Sequence, residues 1–211
     1  MGKVIVMASG GVESNTLIAK LTKEGNFVVG LFFDIGLASN DQMLHCAKNA
    51  LNSERGRLEH VNIRGMRNMF LEFIPPELLA GEADKICPDV EFIPIYASIA
   101  TYYAEASGIK SIYLGFTRDQ MDRRRSKFLR DIGPTFASYQ EGLDAVSYET
   151  PFAKLNKADV VAMGKKLGVD YRRTWSCMHG GAAQCGECER CKSRKKAFLI
   201  AKVSDPTAYL A

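Results

Sequence analysis

Short apolar runs alternate with stretches of helical period from the start of the chain. Residues 3–8 read as a buried strand, because Val4, Ile5, Val6 and Met7 are continuously apolar rather than alternating. A Ser9-Gly10-Gly11 turn follows, and the pattern predicts a helix over 15–24, closed by Gly25. Residues 27–34 repeat the buried-strand pattern and 40–51 the helical one, while 58–63 is a weaker strand punctuated by Glu59, His60 and Asn62. Four of the seven prolines fall in 74–94, which reads as a long connection or lid. Beyond it the pattern predicts a helix over 95–107, a strand over 111–115 and a helix over 134–146. Asn156, with Asp159 three residues on, is a capping-box variant that opens a helix ending at Gly168. Residues 189–203 read as a basic helix. Strand–helix alternation of this kind builds an open, mostly parallel α/β sheet with helices on both faces. With no internal repeat, a single domain over 1–211 is expected, with an appendage at about 175–194.

Composition changes this picture little. The chain has 211 residues, 46% hydrophobic and 25% charged, which excludes a disordered chain and leaves ample length for one core. A formal net charge of +4 suits contact with phosphates but is far short of a nucleic-acid-coating tail. No apolar run reaches the ~18 residues that span a bilayer, and no signal peptide is evident. The expectation is a cytoplasmic protein with no membrane partner.

The glycine turn carries the first candidate chemistry. Two glycines let the backbone turn tightly and approach a ligand, and the amides that open the next helix favour an anion. Ser9 and Ser14 add hydroxyl donors at the carboxyl end of a first strand, where open α/β sheets bind ligands. The bland alternative is a plain strand-to-helix turn with Ser14 as its N-cap. A Walker A loop is excluded, since no Gly-Lys-Ser/Thr ending follows.

Cysteine spacing carries the second. Four of six cysteines crowd into fifteen residues as Cys177-x7-Cys185-x2-Cys188-x2-Cys191. Two-residue spacers turn neighbouring thiolates back onto one tetrahedral ion, and four sulfurs close a structural Zn²⁺ site, although an iron–sulfur cluster uses similar ligands. Cys46 reads as a small core residue. His179 reads as a surface residue, because four thiolates already complete the site.

Ser9-Gly10-Gly11-Val12-Glu13-Ser14 resembles the pyrophosphate loop of the PP-loop ATP pyrophosphatases, Ser-Gly-Gly-x-Asp-Ser, with Glu13 in place of the aspartate. Trp175-Ser-Cys177, Cys185-Gly-Glu-Cys188-Glu-Arg-Cys191-Lys-Ser-Arg194 and Ala197-Phe198 closely resemble the end of the 7-cyano-7-deazaguanine synthase family. Leu155-Asn156-Lys157-Ala158 and Phe92-Ile93-Pro94 extend the likeness over almost the entire chain. The resemblance implies a PP-loop fold, a Cys₄ zinc knuckle, and ATP with Mg²⁺ as partners. It implies an ATP-dependent ligase that activates 7-carboxy-7-deazaguanine as an acyl-adenylate for attack by ammonia, giving an amide and then a nitrile. ATP contacts are then expected at Ser9, Gly10, Gly11, Val12, Glu13, Ser14, Asp34 and Gly115, with Ser14, Lys157 and Glu13 in catalysis. Substrate contacts fall at Asp119, Arg124 and Arg125, although the run Asp122–Arg125 also reads as a solvated charged face. Family relatives suggest a homodimer.

Three segments depart from the family. Leu37-Ala38-Ser39-Asn40 replaces Gln-Arg-His, Ile95-Tyr96-Ala97 replaces Gly-Arg-Asn, and Gln120 to Ser126 replaces Ser-Gly-Tyr-Pro-Asp-Cys-Arg. The departures admit another amine acceptor, such as a protein; relatives of the family also occur in anti-phage defence operons, where the resemblance implies a deazaguanine joined to another acceptor. A tRNA-modifying PP-loop ATPase and a catalytically silent nucleotide-binding module are the alternative readings; no dedicated tRNA-binding domain is evident.

Overall fold

The computed structural model describes residues 2–65, 92–139 and 144–210. Its centre is a fully parallel five-stranded sheet of β1 (Lys3–Met7), β2 (Phe27–Asp34), β3 (Gly56–Asn62), β4 (Ser111–Tyr113) and β5 (Ser147–Glu149), in the order β3-β2-β1-β4-β5. The helices are α1 (Val12–Lys23), α2 (Asn40–Ala50), α3 (Ile93–Ala106), α4 (Arg123–Ala137), α5 (Lys157–Leu167) and α6 (Glu189–Ile200). None of them is long and apolar enough to cross a membrane.

Continuous apolar strands imply cover on both faces, and each face has its own core. Val4, Val6, Val28 and Phe32 pack with Leu17 and Leu21 of α1, Ala47 of α2 and Val160 of α5. The intervening residues Ile5, Val29, Leu31 and Ile112 point the other way, against Ala100 and Ala104 of α3. A third cluster, of Val12, Ala158, Val161, Tyr171 and Phe198, ties α6 to α5 and α1.

The capped helix forms as the sequence predicts. Asn156 Oδ1 accepts from the Asp159 amide, Asp159 Oδ2 accepts from the Asn156 amide, both at 2.9 Å, and Gly168 closes α5 in the left-handed region.

Two expectations are corrected and one strand is added. Helix α1 begins at Val12 rather than Asn15, so Ser14 lies inside its first turn and the N-cap is Gly11. The helix expected over 134–146 is instead α4, Arg123–Ala137, which places Pro134 in the last turn. Its start is set by Asp122, whose side chain accepts from the Arg125 amide at 2.7 Å, a cap hidden in sequence by the arginine run behind it. Strand β5 was not anticipated, because three residues carry too little periodicity to register. Gly133 has a packing reason: a Cβ there would overlap the Val146 carbonyl leading into β5. The proline-rich segment lies largely outside the described residues, as does Cys87; Phe92 and Pro94 belong to the start of α3.

Strand β1 is followed in sequence by β2 on one side and flanked by β4 on the other. That reversal opens a crevice at the carboxyl ends of β1 and β4, the position where such sheets bind ligands.

Candidate functional site

The glycine turn sits at this crevice, and its two glycines face different surroundings. Gly10 is buried at φ +72°, and a Cβ there would overlap the Met43 carbonyl of α2. Its glycine identity therefore serves the turn and the seat of α2. Gly11 is less confined: an added Cβ would meet only ordinary contacts, Ser9 Oγ at 3.4 Å, Glu13 Oε2 at 3.8 Å and Trp175 O at 3.9 Å. Ser9 Oγ accepts from the Gly11 amide at 3.4 Å and donates to Ser14 Oγ at 3.2 Å, and Ser14 Oγ donates to the Gly11 carbonyl at 3.3 Å. The first intrahelical bond of α1 runs from the Asn15 amide to Gly11 O. The amides of Val12, Glu13 and Ser14 thus have no intrahelical acceptor and can receive an anion. The Val12 side chain is fully buried below the turn, so only its backbone can take part.

Two adjoining cavities of about 210 and about 230 Å³ share walls at Ser9, Glu13, Met43 and Phe116, and form two lobes of one cleft. The inner lobe is apolar and aromatic, lined by Phe32, Phe33, Ile35, Leu37, Tyr96 and Leu114. Tyr96 stacks on Phe33 with ring centroids 4.7 Å apart. Gly115 admits α1 closely, since a Cβ there would stand 3.2 Å from the Glu13 backbone. The outer lobe carries the cations, with Gly11, Glu13, Arg125, Lys157, Ser176 and Arg190 among its walls. Lys157 Nζ pairs with Glu13 Oε1 at 2.9 Å, and the Arg125 guanidinium lies 5.1 Å over the Phe116 ring.

Asp34 lies beneath the inner lobe rather than on its wall. Its carboxylate accepts from Arg64 Nε at 2.8 and 2.9 Å, from the Gly36 amide at 3.0 Å and from Asn40 Nδ2, and is 3.1 Å from His60 Nε2. Burial pushes this carboxyl up, but the donors led by Arg64 outweigh it and hold it at about 2. The network fixes the turn that presents Ile35 and Leu37 to the lobe. Asp119 is exposed and accepts from Thr117 Oγ1 at 2.7 Å, and Arg124 is exposed; neither lines the two lobes.

The four cysteines of the spaced motif converge, with their sulfurs all within 4.8 Å of one another. Cys185 and Cys191 Sγ are 3.9 Å apart, and Cys177 and Cys188 Sγ 4.0 Å. A single ion bound tetrahedrally at ~2.3 Å needs sulfurs about 3.8 Å apart, so this donor set fits one metal. The backbone is arranged for thiolates: the His179 and Cys185 amides donate to Cys177 Sγ at 3.3 and 3.4 Å. The Cys188 and Glu187 amides donate to Cys185 Sγ and pull that thiol down to about 6. Cys46 is a buried core residue whose thiol is pushed up to about 11 by burial, and His179 is exposed.

Sequence reasoning placed Trp175 and Arg194 in the motif but gave them no role, and they join this knuckle to the cleft. Arg194 is fully buried, donates to Thr174 Oγ1 at 2.7 Å and Tyr171 O at 3.0 Å, and pairs with Asp205 at 3.2 Å. The Trp175 amide donates to Gly10 O at 3.0 Å, which stitches the knuckle to the glycine turn. Arg190 and Tyr96 gave no local signal beyond their residue types, since both are placed by elements distant in sequence.

A parallel sheet that delivers a Ser-Gly-Gly turn and a helix start to a cleft at its switch point defines an α/β scaffold of the PP-loop type. Solved structures share that fold. NMN synthetase from Francisella tularensis matches with a TM-score of 0.54 at 14% identity, over 96% of this chain and 78% of that one. The U34-tRNA thiolase NcsA from Methanococcus maripaludis matches with a TM-score of 0.55 at 13% identity, over 95% of this chain; the match spans 64% of the thiolase. Residues 3–202 match the family described as queuosine biosynthesis protein QueC. The 7-cyano-7-deazaguanine synthase of Thermoplasma acidophilum is 32% identical, over 98% of this chain and 92% of its own. The chain belongs to the QueC family and is an enzyme of the 7-cyano-7-deazaguanine synthase type.

Proposed function

We propose that this enzyme uses ATP to activate the carboxylate of 7-carboxy-7-deazaguanine as an acyl-adenylate, which ammonia or another amine then attacks. The observation that supports this reading is the two-lobed cleft: an apolar, aromatic lobe suits a base, and an adjoining cationic lobe suits its phosphates. In the first step a carboxylate oxygen bonds to the α-phosphorus and pyrophosphate departs. Its charge is met by the Gly11 turn, the opening amides of α1, and Lys157. In the second step the amine nitrogen attacks the carbonyl carbon and AMP leaves; where the amine is ammonia, a second ATP adenylates the primary amide oxygen, and loss of pyrophosphate and then AMP leaves the nitrile.

Ser14 and Ser9 donate to the phosphates in this reading, and Glu13 offers the carboxylate for Mg²⁺ once it exchanges its lysine partner. Asp34 acts at one remove, by shaping the base lobe. Asp119, on the exposed rim, accepts from the guanine-like edge, while Arg124 and Arg125 contribute charge near the substrate. The knuckle metal is zinc with a structural role, because four sulfurs leave no position for substrate. Metal analysis should return one zinc per chain.

Mass spectrometry of a reaction containing ATP, 7-carboxy-7-deazaguanine and ammonium tests the proposal. AMP and pyrophosphate should rise together with the amide or the nitrile. Release of ADP, or ATP left intact with both substrates present, would overturn it.

A further inference from the structure

Gln120 stands on the wall that the two lobes of the cleft share, with Ser9, Glu13, Met43, Ile93 and Phe116. Its side-chain amide is oriented by a neighbour. The Thr117 amide donates to Gln120 Oε1 at 3.0 Å, closing a capping box around the single 3₁₀ turn Arg118–Gln120. A backbone N–H can meet only an acceptor, so this bond sets the oxygen toward Thr117 and the NH₂ group away from it. The turn itself is anchored: Thr117 is buried, and the Arg118 amide donates to Leu155 O at 2.8 Å. Among the described residues Gln120 Nε2 meets no acceptor, and the side chain is exposed. Two other polar residues of the shared wall are committed within the protein. Ser9 Oγ donates to Ser14 Oγ, and Glu13 pairs with Lys157.

We infer that Gln120 binds the α-phosphate of ATP, with Nε2 donating to a non-bridging oxygen on the phosphorus that the substrate carboxylate attacks. The inference rests on the acyl-adenylate reading, which puts the base in the inner lobe and the departing pyrophosphate in the outer one. The α-phosphate then lies between the lobes, along the wall that holds Gln120. Because Thr117 holds the amide oxygen, the donor is set before the nucleotide arrives, and little side-chain freedom is lost on binding. Gln120 opens the segment that departs from the family, so this contact is specific to the present sequence.

Calorimetric titration with adenosine, AMP and magnesium pyrophosphate tests the assignment on wild type, Gln120→Met and Gln120→Glu. Gln120→Met removes the donor without adding charge. It should weaken AMP about tenfold, with adenosine and pyrophosphate unchanged within about twofold. Gln120→Glu keeps an oxygen for the Thr117 amide, so its thermal stability should match wild type while repulsion weakens AMP further. AMP bound by both variants as tightly as by wild type would overturn the assignment and leave the proposed reaction standing, provided that the wild type still forms AMP from ATP. Adenosine or pyrophosphate weakened by Gln120→Met as much as AMP would show that the residue only shapes the wall, and would also overturn it. A wild type whose AMP affinity depends on Gln120, but which forms no AMP from ATP with both substrates present, would sink the reaction alone.

Discussion

Two acids at the same edge of the sheet have opposite fates. Asp34 ends β2 and Glu13 opens α1, both near the cleft formed where β1, β2 and β4 end. Asp34 is buried, and Arg64, Asn40, the Gly36 amide and His60 all converge on it. Glu13 lies on the walls of both lobes, with Lys157 beside it. The first carboxylate is committed to shaping an apolar wall, whereas the second remains where a ligand can reach it. A carboxylate at the end of a strand is thus a chemical group only where its own chain leaves it accessible.

The two glycines of the turn repeat this contrast and give the largest expected effect. Gly11→Val puts branches over the helix amides, where an added Cβ meets nothing closer than 3.4 Å, and should lower turnover by about 10³-fold or more with the fold and metal content retained. Turnover close to wild type would place the phosphates elsewhere. Gly10→Ala should act on stability instead. The positive φ and the overlap with the Met43 carbonyl should cost about 3 kcal/mol, read by chemical denaturation. A fully stable Gly10→Ala protein would erase the distinction between the two positions.

The smallest effect comes from Asp34. Its carboxyl is held at about 2 against an ordinary value of 3.8, so the folded state favours its ionised form. That contributes stability above about pH 4, and the contribution, about 2 kcal/mol, is lost as the pH falls through 2. Asp34→Asn removes the titrating group, so its stability should fall less steeply than wild type between pH 5 and pH 2. Parallel curves for the two proteins would mean that the network gives Asp34 no preference for its charged form.

Much of this was legible in the sequence where one segment carries the whole signal. The continuous strand and glycine turn, the Asn156 and Asp159 capping box, and the four-cysteine spacing each need only neighbouring residues. The rest depends on what the fold brings from afar. Gly10 and Gly11 are indistinguishable until α2 sets the Met43 carbonyl against one of them. Asp34 looks like a ligand-facing acid until β3 and the residues after it bring His60 and Arg64. Arg190 is hidden among metal-ligand spacers.

In the proposed reaction, pyrophosphate leaves ATP into the outer lobe as the acyl-adenylate forms, before any amine takes part. Exchange of labelled pyrophosphate into ATP tests it directly. With enzyme, Mg²⁺, ATP and 7-carboxy-7-deazaguanine but no ammonium, label should enter ATP in wild type, and should do so neither in Gly11→Val nor when the deazaguanine is left out. Product formation with ammonium but no exchange in its absence would contradict a free-standing adenylate.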